Sequence, residues 1–258
     1  MTDVLPALRI TNLTVRFGGR TAVEDLSLEA LAGRITGLIG PNGAGKTTTF
    51  NACTGVVTVH SGSIRLFDRA LEGLRPSGRA QLGLGRTFQR IELFDTMTVR
   101  ENVAMGPEGL MAGRRPWTQL LASRRERRQI DQFVDEAVHR CNLEDLQSRI
   151  AGSLSTGQRR LVELARAIAT PFRVLLLDEP SSGLDVVETE QFGRILQSMV
   201  IERGIGILLV EHDMALVRQV CEFAYVLDFG RLIFAGNTSE VLASEVVKAA
   251  YLGSELVA

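Results

Sequence analysis

Apolar and polar positions alternate along the first part of the chain. Apolar side chains recur, with one slip in the alternation, at Leu8, Ile10, Leu13, Val15 and Phe17. This period of two predicts a strand, and the pair Gly18-Gly19 that follows predicts a tight turn. Residues 21–30 are predicted as the returning strand. We therefore expect the chain to open with an antiparallel hairpin.

Farther along, the alternation gives way to short runs that are apolar throughout. They are residues 35–39, 174–177, 205–210 and 225–227. Continuous apolar runs of this length are typical of strands in a parallel sheet that is covered on both faces. These runs predict the central sheet of an α/β fold.

Helices are predicted between these strands. Asp185 and Glu188 form a capping-box pattern that opens a helix ending near Arg203. Thr98 and Glu101 form a second pattern, opening a helix toward Met105. Residues 96–169 show no strong strand signal, so we interpret them as a helical segment inserted into the α/β core, and residues 1–258 as one domain.

Composition and charge limit the classes of partner and the location that we expect for the protein. The 258 residues are 45 % hydrophobic and 23 % charged, which is ordinary for a globular protein. A net charge of −1 gives no reason to expect a nucleic acid as a partner. The apolar runs are too short to span a bilayer, and the first residues lack a signal-peptide pattern. We expect a cytoplasmic protein that reaches a membrane only through other subunits.

Two features allow more than one interpretation. An arginine-rich stretch, residues 114–128, has the charge to contact lipid headgroups or nucleic acid, but interspersed Glu126 and the near absence of aromatic residues favour a solvated helix face. Cys53, Cys141 and Cys221 lack the spacing of a metal site, and we expect them to be buried thiols.

Residues 40–47 read GPNGAGKT, the pattern of a phosphate-binding loop. The loop follows a predicted strand and precedes a predicted helix, so its backbone N–H groups and the helix N-terminus can surround a phosphate. Lys46 can reach the terminal phosphates, and the Thr47 hydroxyl can bind Mg²⁺. The residues expected to contact the nucleotide are Gly40, Pro41, Asn42, Gly43, Ala44, Gly45, Lys46, Thr47 and Thr48.

Two adjacent acids follow the strand at residues 174–177. Beside a phosphate loop, Asp178 is suited to hold Mg²⁺ and Glu179 to take a proton from the attacking water. The two can divide these roles because successive side chains of a strand point in different directions. The pair favours an ATPase over a GTP-dependent switch, which usually lacks the second acid.

Residues 154–158 read LSTGQ and precede an amphipathic helix. Ser155 and Gln158 form a capping box, so one interpretation is simply a well-capped helix. The other is a second anion site, formed by the Ser155 hydroxyl, the Gly157 backbone and the helix dipole.

Together these motifs resemble the ATP-binding cassette (ABC) family over essentially the whole chain. GPNGAGKT resembles the Walker A motif, LLLDEP the Walker B motif, and LSTGQ the signature motif, with Thr156 where a second glycine is more usual. The resemblance implies an α/β P-loop NTPase fold: a RecA-like parallel sheet core, an N-terminal antiparallel β subdomain and an inserted helical subdomain.

The resemblance also implies roles for further residues. Gln89 is similar to the Q-loop glutamine, which contacts Mg²⁺ and water. Asp185, in residues 182–185, is similar to the D-loop aspartate. His212 is similar to the switch histidine that contacts the γ-phosphate. Phe17 stands where the family has an aromatic residue that stacks on adenine, although a core phenylalanine is an alternative.

The resemblance also implies a mechanism. Two cassettes would dimerise head to tail, with each ATP between the Walker A motif of one chain and the signature motif of the other. Ser155, Gly157 and Gln158 would act across that interface, while Glu179 polarises water and Lys46 and Mg²⁺ neutralise charge. The implied partners are a second ATPase subunit, identical or different, and transmembrane permease subunits.

Three segments narrow the resemblance to the ATPases of branched-chain amino acid importers. They are residues 85–103, 109–130 and 246–253. Such an importer implies a solute-binding protein as a further partner. Importers of urea and related amides use similar ATPases, and lipopolysaccharide-export ATPases share a similar tail. Non-transport ABC ATPases are less favoured, because long heptad arms and a second cassette are absent from the sequence.

Overall fold

A computed structural model describes residues 6–114 and 124–255, and within them the chain forms two sheets. The first is antiparallel, with strand order β2-β1-β4-β5. Its strands are β1 (Pro6–Phe17), β2 (Arg20–Leu31), β4 (Ser61–Leu66) and β5 (Arg69–Ala70). The predicted hairpin is confirmed, and the slip in the alternation corresponds to register shifts between β1 and β2.

The second sheet has the order β10-β9-β3-β8-β7-β6. Its strands are β3 (Ile35–Ile39), β6 (Leu84–Arg86), β7 (Val174–Asp178), β8 (Gly206–Val210), β9 (Phe223–Asp228) and β10 (Arg231–Asn237). Strands β3, β7 and β8 are buried throughout, as their apolar runs predict. The sheet is parallel except for β10, which runs antiparallel to β9 at the edge.

Beside two short 3₁₀ helices, Glu144–Leu146 and Ala151–Ser153, the described residues form nine α-helices. They are α1 (Lys46–Thr54), α2 (Pro76–Gln81), α3 (Val99–Arg114), α4 (Arg124–Arg140), α5 (Thr156–Ala169), α6 (Val186–Arg203), α7 (Met214–Val220), α8 (Thr238–Ala243) and α9 (Glu245–Glu255). The capping boxes predicted at Ser155 and Asp185 are both present. The helix predicted from Thr98 toward Met105 is longer than expected and continues to Arg114.

Residues 96–169 hold three of these helices. In the part of this segment that the structure describes, β pairing is limited to an isolated bridge between Thr98 and Ile150. Helices α3, α4 and α5 share one buried cluster with a face of the central sheet, including Val103, Val134, Leu164 and Leu177. The helical segment is therefore packed directly on the sheet that supports the Walker motifs.

The central sheet separates two cores. Ile35 and Ile39 of β3 belong to the cluster shared with the helical segment, whereas Leu38 belongs to the cluster with α1 and the antiparallel sheet. Because the side chains of a strand alternate between the two faces of the sheet, this one short strand contributes to the cores on both faces. The carboxyl ends of β3, β7 and β8 then lie side by side at one edge, and the candidate site forms there.

Other predictions are settled by burial. The three cysteines are free and buried, and burial raises the pKa of the Cys53 thiol to about 12. Arg124, Arg125, Arg127 and Arg128 are exposed on α4, whereas residues 115–123 of the arginine-rich stretch lie outside the described residues. None of the helices described is both long and apolar enough to cross a membrane.

Candidate active site

The phosphate loop connects β3 to α1 and depends on glycine at particular positions. Gly40 has φ +146° and Gly45 has φ +102°, in the region that side chains disfavour. A Cβ at Gly40 would lie 2.1 Å from the Leu227 carbonyl oxygen, and one at Gly45 would lie 2.7 Å from that of Ala22. Both positions therefore need glycine for close backbone approach as well as for φ.

Lys46 is buried, and its side chain folds back to bind the beginning of the phosphate loop. Its Nζ donates to the carbonyl oxygens of Gly40 at 2.6 Å and Pro41 at 2.9 Å. Burial lowers the pKa of Lys46, and the nearby carboxylates of Glu179 and Asp178 oppose that shift. The ammonium thus lies at the loop and within the field of both acids.

The rest of the loop divides into a buried and an exposed side. Pro41 and Ala44 are buried and form the side of the loop that faces the protein interior. Asn42, Gly43 and Thr47 are exposed, and Thr48 is half-buried. The exposed backbone around Gly43 and the Thr47 hydroxyl are thus available to a ligand at the start of α1.

Asp178 is buried at the end of β7 and is paired with an arginine. Its Oδ2 accepts a hydrogen bond of 2.8 Å from Arg86 Nη2, and Arg86 Nη1 donates to Asn51 Oδ1 at 2.5 Å. Burial raises the pKa of Asp178, while the bond and charge of Arg86 lower it. This role of Arg86 is not indicated by the sequence, although the residue lies three positions before Gln89.

Glu179 points away from Asp178 and joins two other segments. Its Oε2 accepts a hydrogen bond of 2.6 Å from Gln89 Nε2, and its Oε1 lies 2.6 Å from His212 Nε2. Glu179 has a left-handed φ of +49°, and its N–H donates to Val210 O at 2.8 Å. The two acids therefore have different partners, and Gln89, Glu179 and His212 meet at one point.

Glu211, which no sequence motif indicates, binds backbone N–H groups of the two loops that carry Glu179 and His212. Its Oε1 accepts the Ser181 N–H at 2.8 Å, and its Oε2 accepts those of His212 at 3.0 Å and Asp213 at 3.3 Å. Burial raises the pKa of Glu211, and these backbone bonds lower it. The carboxylate thus joins the loops that follow β7 and β8 and orients the His212 backbone.

The signature segment begins α5 and packs on the start of α6. Ser155 Oγ accepts from Gln158 N at 3.2 Å, and Gln158 Oε1 accepts from Ser155 N at 3.1 Å. Gly157 is buried, and a Cβ there would lie 2.0 Å from Glu188 Oε1. Asp185 caps α6, its Oδ1 accepting from Glu188 N at 2.8 Å. Both motifs have structural roles within their own chain.

Arg160 links the signature helix to two functional loops. Its guanidinium donates to Gln89 O at 2.6 Å, to Ser182 O at 3.3 Å and to Glu163 Oε2 at 2.9 Å. The Arg160 and Glu163 side chains are only 5 % and 4 % exposed. One buried cation therefore joins the predicted Q-loop, the predicted D-loop and α5.

The predicted site residues form two groups. Lys46, Asp178 and Glu179 lie together at the sheet edge, with Gln89 and His212 on Glu179. Within the described residues, no hydrogen bond joins Ser155, Gly157 or Gln158 to the phosphate loop. Phe17 is 53 % exposed, so the alternative of a core phenylalanine is wrong, and adenine stacking stays a prediction.

The available oxygen donors match the chemistry of Mg²⁺. The Thr47 hydroxyl is exposed, Gln89 keeps its amide oxygen because only its nitrogen bonds Glu179, and Asp178 has one oxygen beyond the Arg86 bond. Mg²⁺ prefers few protein oxygens and completes its shell with water and phosphate. In the described residues no cluster of three His, Cys, Asp or Glu side chains offers an all-protein metal site.

Comparison with known proteins agrees with this geometry. The family model described as "ABC transporter" matches residues 23–182. The chain is 35 % identical over 253 residues to the high-affinity branched-chain amino acid transport ATP-binding protein BraF of Pseudomonas aeruginosa, covering 96 % of this chain and 98 % of that protein. It is also 37 % identical over 251 residues to the lipopolysaccharide export system ATP-binding protein LptB of Escherichia coli K12, covering 97 % and 99 %.

A solved structure has the same fold. The ADP conformation of MJ1267, an ATP-binding cassette of an ABC transporter, superposes with a TM-score of 0.83 at 28 % identity, covering 96 % of this chain and 99 % of that one. The predicted P-loop fold class is thereby confirmed. The chain belongs to the ABC transporter family, as one of its ATPase subunits.

Proposed function

We propose that this ATPase powers the import of branched-chain amino acids. The observation that supports this substrate best is the similarity to BraF, which extends over nearly the full length of both chains. Substrate selectivity would belong to other subunits, since nothing in the nucleotide site distinguishes one solute from another.

In this proposal the residues at the sheet edge bind ATP and activate water. Lys46 leaves its two carbonyl partners to meet the terminal phosphates, and the loop amides and α1 N-terminus surround them. Thr47, Gln89 and Asp178 would hold Mg²⁺, which supplies positive charge to the phosphates when bound. Phe17 would stack on the adenine ring.

Glu179 is the proposed general base. Its carboxylate accepts a hydrogen bond from Gln89 and lies 2.6 Å from His212 Nε2, at the sheet edge where water would attack the terminal phosphate. Gln89 and His212 also fix its orientation. The role of Glu211 is to hold the His212 backbone in place by accepting its N–H.

The signature motif would complete the site of a second chain. Ser155 and its neighbours have no hydrogen bond to the phosphate loop of their own chain, within the residues described. The exposed Ser155 at the N-terminus of α5 offers a hydroxyl and a positive helix end to an anion from outside. We infer a head-to-tail dimer, identical or mixed, in which Asp185 lies near the shared interface.

The pair would act on a membrane through permease subunits, with a solute-binding protein delivering the amino acid. The chain would then be cytoplasmic and peripheral on the inner face of the cell membrane. A second candidate function is lipopolysaccharide export, which the similarity to LptB supports at nearly equal identity. A urea or amide importer remains a variant of the first proposal.

Reconstitution tests the substrate. We expect the chain, purified with its permease partners in liposomes and supplied with the binding protein, to hydrolyse ATP faster when leucine, isoleucine or valine is added. The matched control is the same complex with Glu179→Gln, in which no solute should restore turnover. Acceleration by urea or by lipopolysaccharide, with no response to branched-chain amino acids, would contradict the proposed substrate and favour the corresponding alternative.

A further inference from the structure

A tyrosine of the C-terminal helix contacts the first residue of the phosphate loop. Gly40 N–H donates a hydrogen bond of 2.8 Å to Tyr251 Oη, although the two residues are 211 positions apart. Tyr251 lies on α9, beyond residues 23–182 that match the family model. The contact therefore adds a helix to the nucleotide site that none of the motifs indicates.

Gly40 needs this partner because the sheet ends just before it. The pairing of β3 with β9 stops at Ile39, opposite Val226, and its pairing with β8 stops at Leu38, opposite Val210. The Gly40 N–H therefore lies beyond both ladders, while the residue itself is buried. A buried N–H without a partner is costly, and the Tyr251 hydroxyl supplies the acceptor.

Gly40 is thus held at both ends of its backbone. Tyr251 binds its N–H at 2.8 Å, and Lys46 Nζ binds its carbonyl oxygen at 2.6 Å. When Lys46 turns to a phosphate, the carbonyl loses its charged partner, and the Tyr251 bond remains to fix the entry to the loop. A loop fixed before binding loses less conformational freedom when the ligand arrives.

The Tyr251 ring is itself firmly placed. It is half-buried and packs against the core cluster shared by the sheet and the helical segment. Burial raises the pKa of its hydroxyl to about 12, so the group is neutral at physiological pH and the bond does not change with pH there. The hydroxyl is thus a neutral acceptor on a ring that packs against the core.

We propose that Tyr251 is a positioning residue of the nucleotide site, whose hydroxyl fixes the first peptide of the phosphate loop and thereby sets nucleotide affinity. The inference rests on the proposed role of the loop in binding ATP. Tyr251 has no part in the chemical step, so its effect belongs to affinity and not to the rate of hydrolysis of bound ATP.

The chain provides its own matched control. It has two tyrosines, and the hydroxyl of the other, Tyr225, also accepts one backbone N–H, from Glu29 at 3.1 Å. Both side chains are half-buried. Tyr251→Phe and Tyr225→Phe each remove one hydroxyl and keep the ring, but only the first removes a contact to the phosphate loop.

We expect Tyr251→Phe to raise the Kd for ADP and the KM for ATP by about fivefold, because a loop without this contact loses more conformational freedom when the nucleotide binds, with kcat nearly unchanged. Tyr225→Phe should leave Kd and KM at their wild-type values. Calorimetric titration with ADP and steady-state ATPase assays on the full chain measure both. Equal effects of the two substitutions, or a fall in kcat alone, would overturn the proposal.

Two further measurements separate the possible failures. If Lys46→Ala binds ADP as tightly as the wild type, the proposed role of the loop is wrong, whatever Tyr251 does. If Tyr251→Phe does not fold, hydrogen exchange of the wild-type Gly40 amide decides: we expect it to be protected although it lies beyond the ladders. Exchange as fast as that of the exposed Gly43 amide would overturn the proposal.

Discussion

ATP turnover is expected to fall by about two to four orders of magnitude when Glu179→Gln is introduced, the usual contribution of a general base. The amide keeps an oxygen that can accept from Gln89 or His212, so the loops should stay in place. It cannot take a proton from water. Binding of ATP should persist, because Lys46 and the loop amides are untouched, and the ATP-bound dimer should accumulate.

A rapid ATPase assay and gel filtration with saturating ATP measure the two parts of this prediction. Glu222→Gln is a suitable control, since Glu222 is exposed and its ion pair with Arg34 is at the surface. Turnover of Glu179→Gln above about a tenth of the wild type would place the base elsewhere. A monomeric Glu179→Gln beside a wild type that hydrolyses rapidly as a monomer would argue against a dimeric mechanism.

Arg160→Ala is expected to lower the free energy of unfolding by about 3–5 kcal/mol, because it leaves the buried carboxylate of Glu163 without its cation. It also removes the donors to Gln89 O and Ser182 O. Chemical denaturation of the purified chain measures the change. The control is Arg194→Ala, whose pair with Glu190 is long and exposed and should contribute little.

The pH dependence of this loss identifies its cause. Burial raises the pKa of Glu163, and the charge of Arg160 opposes that shift. Without Arg160 the folded-state pKa rises further above the unfolded one, so stability is present at low pH and is lost as pH rises through the folded value. The deficit of Arg160→Ala should therefore be smaller at acidic than at alkaline pH. A deficit as small as that of Arg194→Ala would contradict the account.

The double variant Arg160→Met with Glu163→Leu distinguishes the effect of Arg160 on stability from its effect on the response of the ATPase to solute. Replacing a buried ion pair by apolar side chains of similar volume is often nearly neutral, so most of the stability should return. The carbonyl oxygens of Gln89 and Ser182 would still lack their donor. We therefore expect a stable variant whose ATPase responds less to solute than the wild type.

The local features of the fold were predictable from sequence because their signals are local. The strand–loop–helix of Gly40 and Lys46 and the capping boxes at Ser155 and Asp185 each lie within a few residues. Strand β6 was missed because its three residues are too few to show a period. Strand β10 was not predicted, although its residues 232–235 are apolar, and it lies at the edge of the sheet with mostly exposed positions.

The contacts that build the site join distant residues, and a single sequence has no signal for them. Arg86 pairs with Asp178 across 92 positions, and Gly40 bonds Tyr251 across 211. Arg160 could be read as one more polar residue of an amphipathic helix, yet it is buried and bonds to two loops. The spacing of motif residues along the sequence identifies the residues suited to bind phosphate and Mg²⁺ and to activate water. Only the fold shows which other side chains orient them.

The claim that each ATP site is shared between two chains has a direct test. Lys46→Ala removes the phosphate contact but keeps the signature motif, and Ser155→Arg blocks the signature motif but keeps the phosphate loop. Each variant alone should be inactive in its dimer. Mixing the two should restore ATP hydrolysis, because the mixed dimer contains one site with an intact Lys46 and an intact Ser155 from opposite chains. A mixture that stays as inactive as its components, beside an active wild type, would contradict the shared site.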